Sequence, residues 1–577
     1  MRWRVPKAAS QPGLVARLAV MHSWNISKHS PVDLFVRGSE APSHPLSAQE
    51  NTSARCSPCS SLQWPVSCLC PPRNLTSGDA AETSGAESQS TYSQRALSMR
   101  MGSPPKARYE AMHGTDEVSE SQSAADARSF LDGWIEALLD YERIPGAAIA
   151  VIHNREVIHT KGYGFANAER KTPVTPRTRF RIASVTKMLT AIAVMQLRDD
   201  GRLQLDDPVA NHLDWFHPAL RKGSNQQPTI RDLLRHTAGL PCELDHAFRP
   251  DPADLAPTRE HFIQRAAGIP LDYPVQTRHH YSNVGYALLG EIVSHLAAQS
   301  YEVRLRERIT APIGMSATFA GRPVASSSGQ DATGYSTWPR RGSRRPLAIS
   351  EQLARSMAPA GGLTSTLEDL SAFALWQLRV LGGEDTGVLQ PSTLQEMHSA
   401  AWEQPPAGLG FSIWGMGGLS FVGHQGGCPG FSAFFILCPA TQSAVVVLCN
   451  GHHAPTFTMA FGAHEIVVPP RLGPSTSCDP APDARLLGFY SDDLAWSDVL
   501  VIRRDGEICL LWMGEGLGNP VGSLIRLHPV GELVYRQIES DGSLGKHYVF
   551  EADDAREAVR LRFNTSILTK WDAANRA

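Results

Sequence analysis

No apolar run in the 577-residue chain approaches the roughly 20 residues that a membrane-crossing helix needs, and the runs present, such as Ala444 to Leu448, have strand length. No membrane span is therefore expected. Excess charge of either sign is missing too: a formal net charge of -3 supplies no basic field to attract phosphate backbones, so no nucleic acid is expected as a partner. A disulfide framework is also lacking. Of the 10 cysteines, Cys438, Cys449 and Cys509 lie inside apolar runs, as small buried hydrophobes do, which favours a reducing compartment. Cys56, Cys59, Cys68 and Cys70 form a CxxC followed by a CxC, but the second pair is too tight for a zinc knuckle and no histidine completes it. No metal and no cofactor are expected. The basic residues near the start are not followed by the apolar core of a secretory signal, and the expected location is cytoplasmic.

What is present divides the chain in four. Residues 1–125 are rich in Ser, Pro, Ala and Gln without an apolar period, which reads as a disordered extension. Its early Arg and Lys residues carry the charge pattern of a transit peptide, and a start at an internal methionine such as Met112 is the plainer account. Residues 126–468 read as one α/β catalytic unit. A helix with Phe130, Trp134, Leu138 and Leu139 on one face leads into strands Gly146 to Ile152 and Val157 to Tyr163. Helices follow from Ser184 to Asp200, Thr229 to His236, Val284 to Ala298 and Thr366 to Leu378. Strands return between Leu409 and Cys449, so the first and last strands are expected to share an antiparallel sheet. A Pro-rich linker, 469–482, precedes an all-β domain, 483–577, with Asp505-Gly506 and Asp541-Gly542 as hairpin turns.

The chemistry is sought first in an SxxK spacing, which occurs at Ser103/Lys106, Ser184/Lys187 and Ser543/Lys546. Two prolines break the first, and the last lies in a hairpin. Only Ser184-Val-Thr-Lys187 opens an apolar helix, where positions three apart share a face and Lys187 reaches the Ser184 hydroxyl. A serine needs such a base, and a lysine serves as one when burial depresses its pKa. The bland alternative is a capping serine followed by a solvated lysine.

The segment Phe180 to Lys187, then Tyr281-Ser-Asn283, then His424-Gln-Gly-Gly427 follow the order and spacing of three motifs of a known family. With the segments Thr229 to Pro241 and Ala358 to Leu370, they resemble class C β-lactamases, D-alanyl-D-alanine peptidases of the same fold, and their esterase, transesterase and D-aminopeptidase relatives. The resemblance implies a β-lactamase-like α/β (α+β) fold, an antiparallel sheet flanked by helices, followed by a small lipocalin-like all-β domain. It implies Ser184 as acylated nucleophile, Lys187 as its activator, and Tyr281 as a second proton carrier whose phenol neighbouring cations hold near its reactive form. His424 would stand beside the substrate, and the backbone N–H groups of Ser184 and Gly427 would form the oxyanion hole. Asn283 would hold Lys187 or the substrate's carbonyl, and Gln425 and Gly426 would bind substrate; the plainer reading of Asn283, compatible with the first, is a cap for the helix that starts at Val284.

The third motif departs from the Lys-Thr-Gly of true β-lactamases, since a histidine near its reference pKa is mostly neutral at pH 7 where a lysine is a permanent charge. The expected function is hydrolysis of a carboxylic ester or short peptide amide through an acyl-enzyme, or acyl transfer from it. The alternatives are a β-lactamase or D-alanyl-D-alanine carboxypeptidase, and a non-catalytic scaffold. The expected partner is a small ester, amide or short peptide.

Overall fold

The computed structural model describes residues 110–244, 258–320, 331–336, 346, 356–403, 405–468, 484–492, 498–513, 518–552, 558–563 and 566–570, with side chains from 123 onward. The readings for residues 1–109, including the CxxC–CxC group, and for the 469–482 linker lie outside them.

The strand Gly146–His153 (β1) is built of small and branched apolar residues and is buried along nearly its whole length. That pattern requires cover on both faces, and the structure supplies it. Ala148, Ala150 and Ile152 face a core of helices, while Ala147, Ile149 and Val151 face a second core on the other side. β1 pairs antiparallel with Glu156–Asn167 (β2) on one edge. On its other edge it pairs with Ser443–Cys449, from the far end of the catalytic unit. Ser412–Met416 (β3), Leu419–Cys428 (β4), Phe431–Cys438 (β5) and Ser443–Cys449 (β6) continue the sheet, in the order β2-β1-β6-β5-β4-β3, and two-residue strands extend it to nine. The shared antiparallel sheet expected from the sequence is present.

Helices Glu110–Tyr141 (α1) and Thr456–Val467 (α5) cover one face, with Phe130, Trp134, Leu138, Met459 and Ala463 in the core. Thr186–Asp199 (α2), Asn283–Ala297 (α3) and Leu367–Leu381 (α4) cover the other. α1 begins at Glu110, so 110–125 belongs to a helix and not to a disordered extension. The Ser-rich composition of its first turns hid it, because helix propensity there is low. The segment Thr229 to His236 yields only the short helix Ile230–Leu234, closed at its start by a capping box between Thr229 and Asp232.

The C-terminal strands close into an eight-stranded barrel, Gly488–Ser491 pairing with Ser566–Lys570 to complete it. Inward-facing Val499, Val501, Ile508, Leu510, Tyr535, Phe550 and Leu561 fill it. The Asp505-Gly506 turn has positive φ at both residues, 51° and 81°, the type I′ geometry that the Asp-Gly signal demands. On the barrel's outer surface Leu500, Ile502, Cys509 and Leu511 join the core beneath α1 and α5, so the barrel is docked and not merely tethered.

Candidate active site

Strand pairing builds the turn that carries Ser184. Phe180–Arg181 pairs with Leu363–Ser365, and the Ile182 N–H donates to the Leu363 carbonyl at 3.0 Å. The next residue, Ala183, has φ 46°, a left-handed conformation that non-glycine residues avoid. This kink starts a 3-10 turn, Ala183–Val185, that carries Ser184 before α2 begins at Thr186. Ser184 thus precedes the α-helix proper and makes no side-chain cap to it.

Lys187, in the first turn of α2, is fully buried and directs its Nζ at three oxygens: Ser184 Oγ at 3.1 Å, Asn283 Oδ1 at 2.6 Å and the Ala360 carbonyl at 2.6 Å. It also lies 4.7 Å from the Tyr281 ring centre and 5.3 Å from that of Tyr286. Burial pushes its pKa down to about 7, with the Glu243 carboxylate pulling the other way. The carbonyl and the amide oxygen can only accept, so they fix two amine hydrogens. The remaining direction points at Ser184, as a lone pair when the amine is neutral.

Tyr281 donates its hydroxyl to the same Ser184 Oγ at 2.7 Å, so the serine is held between amine and phenol. Burial raises the phenol's pKa well above its ordinary value of 10.0, with only the bond to Ser184 opposing it. At neutral pH the Tyr281 phenol is therefore held in its protonated form. His236 packs against Tyr281 at 4.4 Å between ring centres, and its Nδ1 accepts from the Ser282 N–H at 3.1 Å. The cap of α3 is Ser282, whose Oγ accepts from the Gly285 N–H, and not Asn283. Asn283 is instead the helix's first residue, and its amide is used on Lys187 and, through Nδ2, on Glu243.

His424 to Gly427 lie within β4, not after a strand that ends at Val422. Glycines at 423, 426 and 427 lower strand propensity, yet pairing of His424 with Phe435 and Gly427 with Ser432 carries the strand on. His424 is buried, and its Nδ1 donates to the Gln425 carbonyl at 2.6 Å. Burial, reinforced by nearby Lys187, holds its pKa down at about 3, so the ring is neutral. Its centre is 6.4 Å from that of Tyr281. Gly426 is pressed against the Ile182 carbonyl, where a Cβ would collide, so it fits the strand to the turn that carries Ser184. Gly427 has open space beside its Cα, and Gln425 is exposed. No group of three or more metal-ligating side chains occurs among the described residues, and none of their helices is long and apolar enough to cross a membrane.

A family model described as Beta-lactamase matches residues 131–466, more than half of the chain. The chain belongs to the beta-lactamase family. Within that family it is 30% identical to Protein flp of Staphylococcus aureus over 330 residues, covering 56% of this chain and 63% of that protein. It is 28% identical to Penicillin-binding protein 4 of Amycolatopsis lactamdurans, over 56% of this chain and 85% of the relative. The octameric penicillin-binding protein homologue from Pyrococcus abyssi shares the fold, with a TM-score of 0.52 and 23% identity over 76% of this chain and 99% of its own. So does the hydrolase EstCE1, with a TM-score of 0.52 and 20% identity over 60% of this chain and 99% of its own.

The three segments that resemble family motifs meet in space around Ser184. Sequence reading missed Ala360, whose carbonyl holds Lys187, although the surrounding segment was singled out. It also missed Glu243, two residues beyond Pro241, because one acidic residue beside a cysteine carries no pattern. Burial raises the Glu243 carboxyl to about 7 against the opposing pull of Asn283 and Lys187.

Proposed function

We propose that the protein is an acyl-enzyme serine hydrolase that cleaves a small carboxylic ester or short peptide amide at Ser184. One observation carries this reading: Ser184 Oγ lies 3.1 Å from a buried amine whose pKa has fallen to about 7 and 2.7 Å from a protonated phenol. Neutral Lys187 takes the hydroxyl proton as Oγ attacks the acyl carbon. The N–H groups of Ser184 and Gly427 receive the oxyanion, and Tyr281 hands its proton to the departing alcohol or amine, with the Lys187 ammonium restoring it. Water then attacks the ester of Ser184 by the same route in reverse. An alcohol or amine in place of that water gives acyl transfer.

The neutral His424 favours substrates without a carboxylate at that position, which sets the reading apart from a β-lactamase or carboxypeptidase. The test compares the full chain with Ser184→Ala on a short-chain p-nitrophenyl ester, a chromogenic cephalosporin and a D-alanyl amide. Ester turnover with an acyl mass on Ser184, lost in the variant, is the expected outcome. Equal rates for the two proteins sink the mechanism, and faster cephalosporin turnover assigns the site to β-lactams. Binding without any covalent mass shift assigns the chain to a scaffold role.

A further inference from the structure

The orientation of Lys187 depends on an amide that could face either way. Asn283 offers Lys187 its oxygen, an acceptor; turned over, it would offer an NH2 group, and two donors would oppose each other. What decides the matter is the other end of the amide. Its Nδ2 donates to Glu243 Oε1, and above about pH 7, where that carboxyl is ionised, it can only accept. The carboxylate is itself fixed beside α3, because the Asn283 N–H donates to the Cys242 carbonyl at 2.8 Å and Ser282 Oγ donates to the Pro241 carbonyl at 2.6 Å. Its second oxygen, Oε2, is buried and has no hydrogen-bond partner among the described residues. A carboxylate buried with one donor is costly for folding, and among the described residues Asn283 and the charge on Lys187 offset that cost.

We infer that Glu243 is a positioning residue of this site: it locks the Asn283 amide in the orientation that turns the free direction of Lys187 Nζ toward Ser184. This rests on the reading of Ser184 and Lys187 as nucleophile and base. The chain Glu243–Asn283–Lys187–Ser184 then has one donor and one acceptor at every link, and it is polarised toward the serine. The same carboxylate acts on Lys187 as a charge, favouring the ammonium, so removing the charge while keeping an acceptor frees the amine at lower pH. The other groups around the pair bear on its titration in known ways. Tyr281 and Tyr286 are protonated, and burial keeps His236 and His424 neutral. Cys242 adjoins Glu243 in the chain and favours the Lys187 ammonium. Arg265, from the helix Arg259–Ala266, lines a surface cavity with Glu243.

The experiment uses the full chain and its Glu243→Gln, Glu243→Met and Ser184→Ala variants, with p-nitrophenyl butyrate as probe and kcat and kcat/KM followed against pH. Glutamine can present an amide oxygen to Asn283, whereas methionine of similar volume cannot. Glu243→Gln is expected to keep the plateau kcat within about threefold and to move the acid limb of kcat/KM down by about one pH unit. Glu243→Met is expected to lose about tenfold or more in plateau kcat with KM little changed, since the base is misaligned and not the substrate. A Gln variant as slow as Met, or one with an unmoved acid limb, overturns the inference, and a Met variant that fails to fold leaves the Gln pH profile to decide it. Loss of activity in Ser184→Ala alongside wild-type behaviour of both Glu243 variants rejects this inference only. Full activity in Ser184→Ala rejects the serine reading beneath it.

Discussion

Burial decides what Lys187 is. In water its amine would be almost wholly protonated at pH 7 and useless as a base; surrounded by Tyr281, Tyr286 and the α2–α3 core, it loses the proton near neutrality. In the proposed mechanism the neutral form is the active one, so kcat/KM for ester hydrolysis is expected to rise with pH through about 7 with unit slope and to fall away below it. The stability sign runs the same way. Because the folded value lies below the ordinary 10.5, the unfolded chain binds the extra proton between about 7 and 10.5, and this group's contribution to stability rises with pH across that window. Lys187→Met is expected to flatten that dependence in denaturant titrations and to cost about a hundredfold to ten-thousandfold in rate. Ala183 offers a test at the same scale. Its φ of 46° stores strain of roughly 1 kcal/mol or more, which Ala183→Gly should relieve at some entropic cost. A net stabilisation by chemical denaturation is expected, together with lower kcat as the turn that carries Ser184 loosens.

The next scale is the contact between β4 and the turn that carries Ser184. Gly426 permits it, since any side chain there meets the Ile182 carbonyl two residues before Ser184. Gly426→Ala is therefore expected to push strand and turn apart, lowering kcat/KM by about tenfold or more with circular dichroism unchanged. This element also shows where sequence reading runs out. The SxxK spacing selected Ser184 because only there does an apolar helix follow, a local property that the chain displays openly. That His424 lies inside a strand was not legible, because glycines at 423, 426 and 427 erase the alternation and only the partner strand β5 supplies the pairing. In the barrel the strands flanking Asp-Gly turns were readable, whereas Gly488–Ser491, Ile525–Pro529 and Ser566–Lys570 were not. They are short, and their place is fixed by barrel closure.

At the scale of the molecule, α1 is the hinge of stability. It lies between the sheet and the barrel, and Arg503 of the barrel binds Asp126 of α1 through two bonds, at 2.6 and 2.8 Å, with both side chains largely buried. Removing one partner leaves the other buried and charged, so Arg503→Met is expected to cost about 3 kcal/mol or more by chemical denaturation. Because Leu500, Ile502, Cys509 and Leu511 complete the core under α1 and α5, barrel and catalytic unit are expected to unfold in one transition by calorimetry. Two separated transitions would show the interface to be weak.

The sequence by itself determined the elements whose signals are local: the apolar strand β1, the helix behind Ser184, the type I′ turn at Asp505-Gly506, and the order of the three motif segments. Periodicity, turn chemistry and spacing act over a few residues, so a single chain reveals them. Only the tertiary structure decided the protonation of the site and the membership of its inner ring. The pKa of Lys187 near 7, the protonated Tyr281, the neutral His424, the Ala360 carbonyl and the Glu243 carboxylate all follow from desolvation and from groups far apart in the chain. No pattern along the sequence encodes how much water a folded chain removes from a given atom.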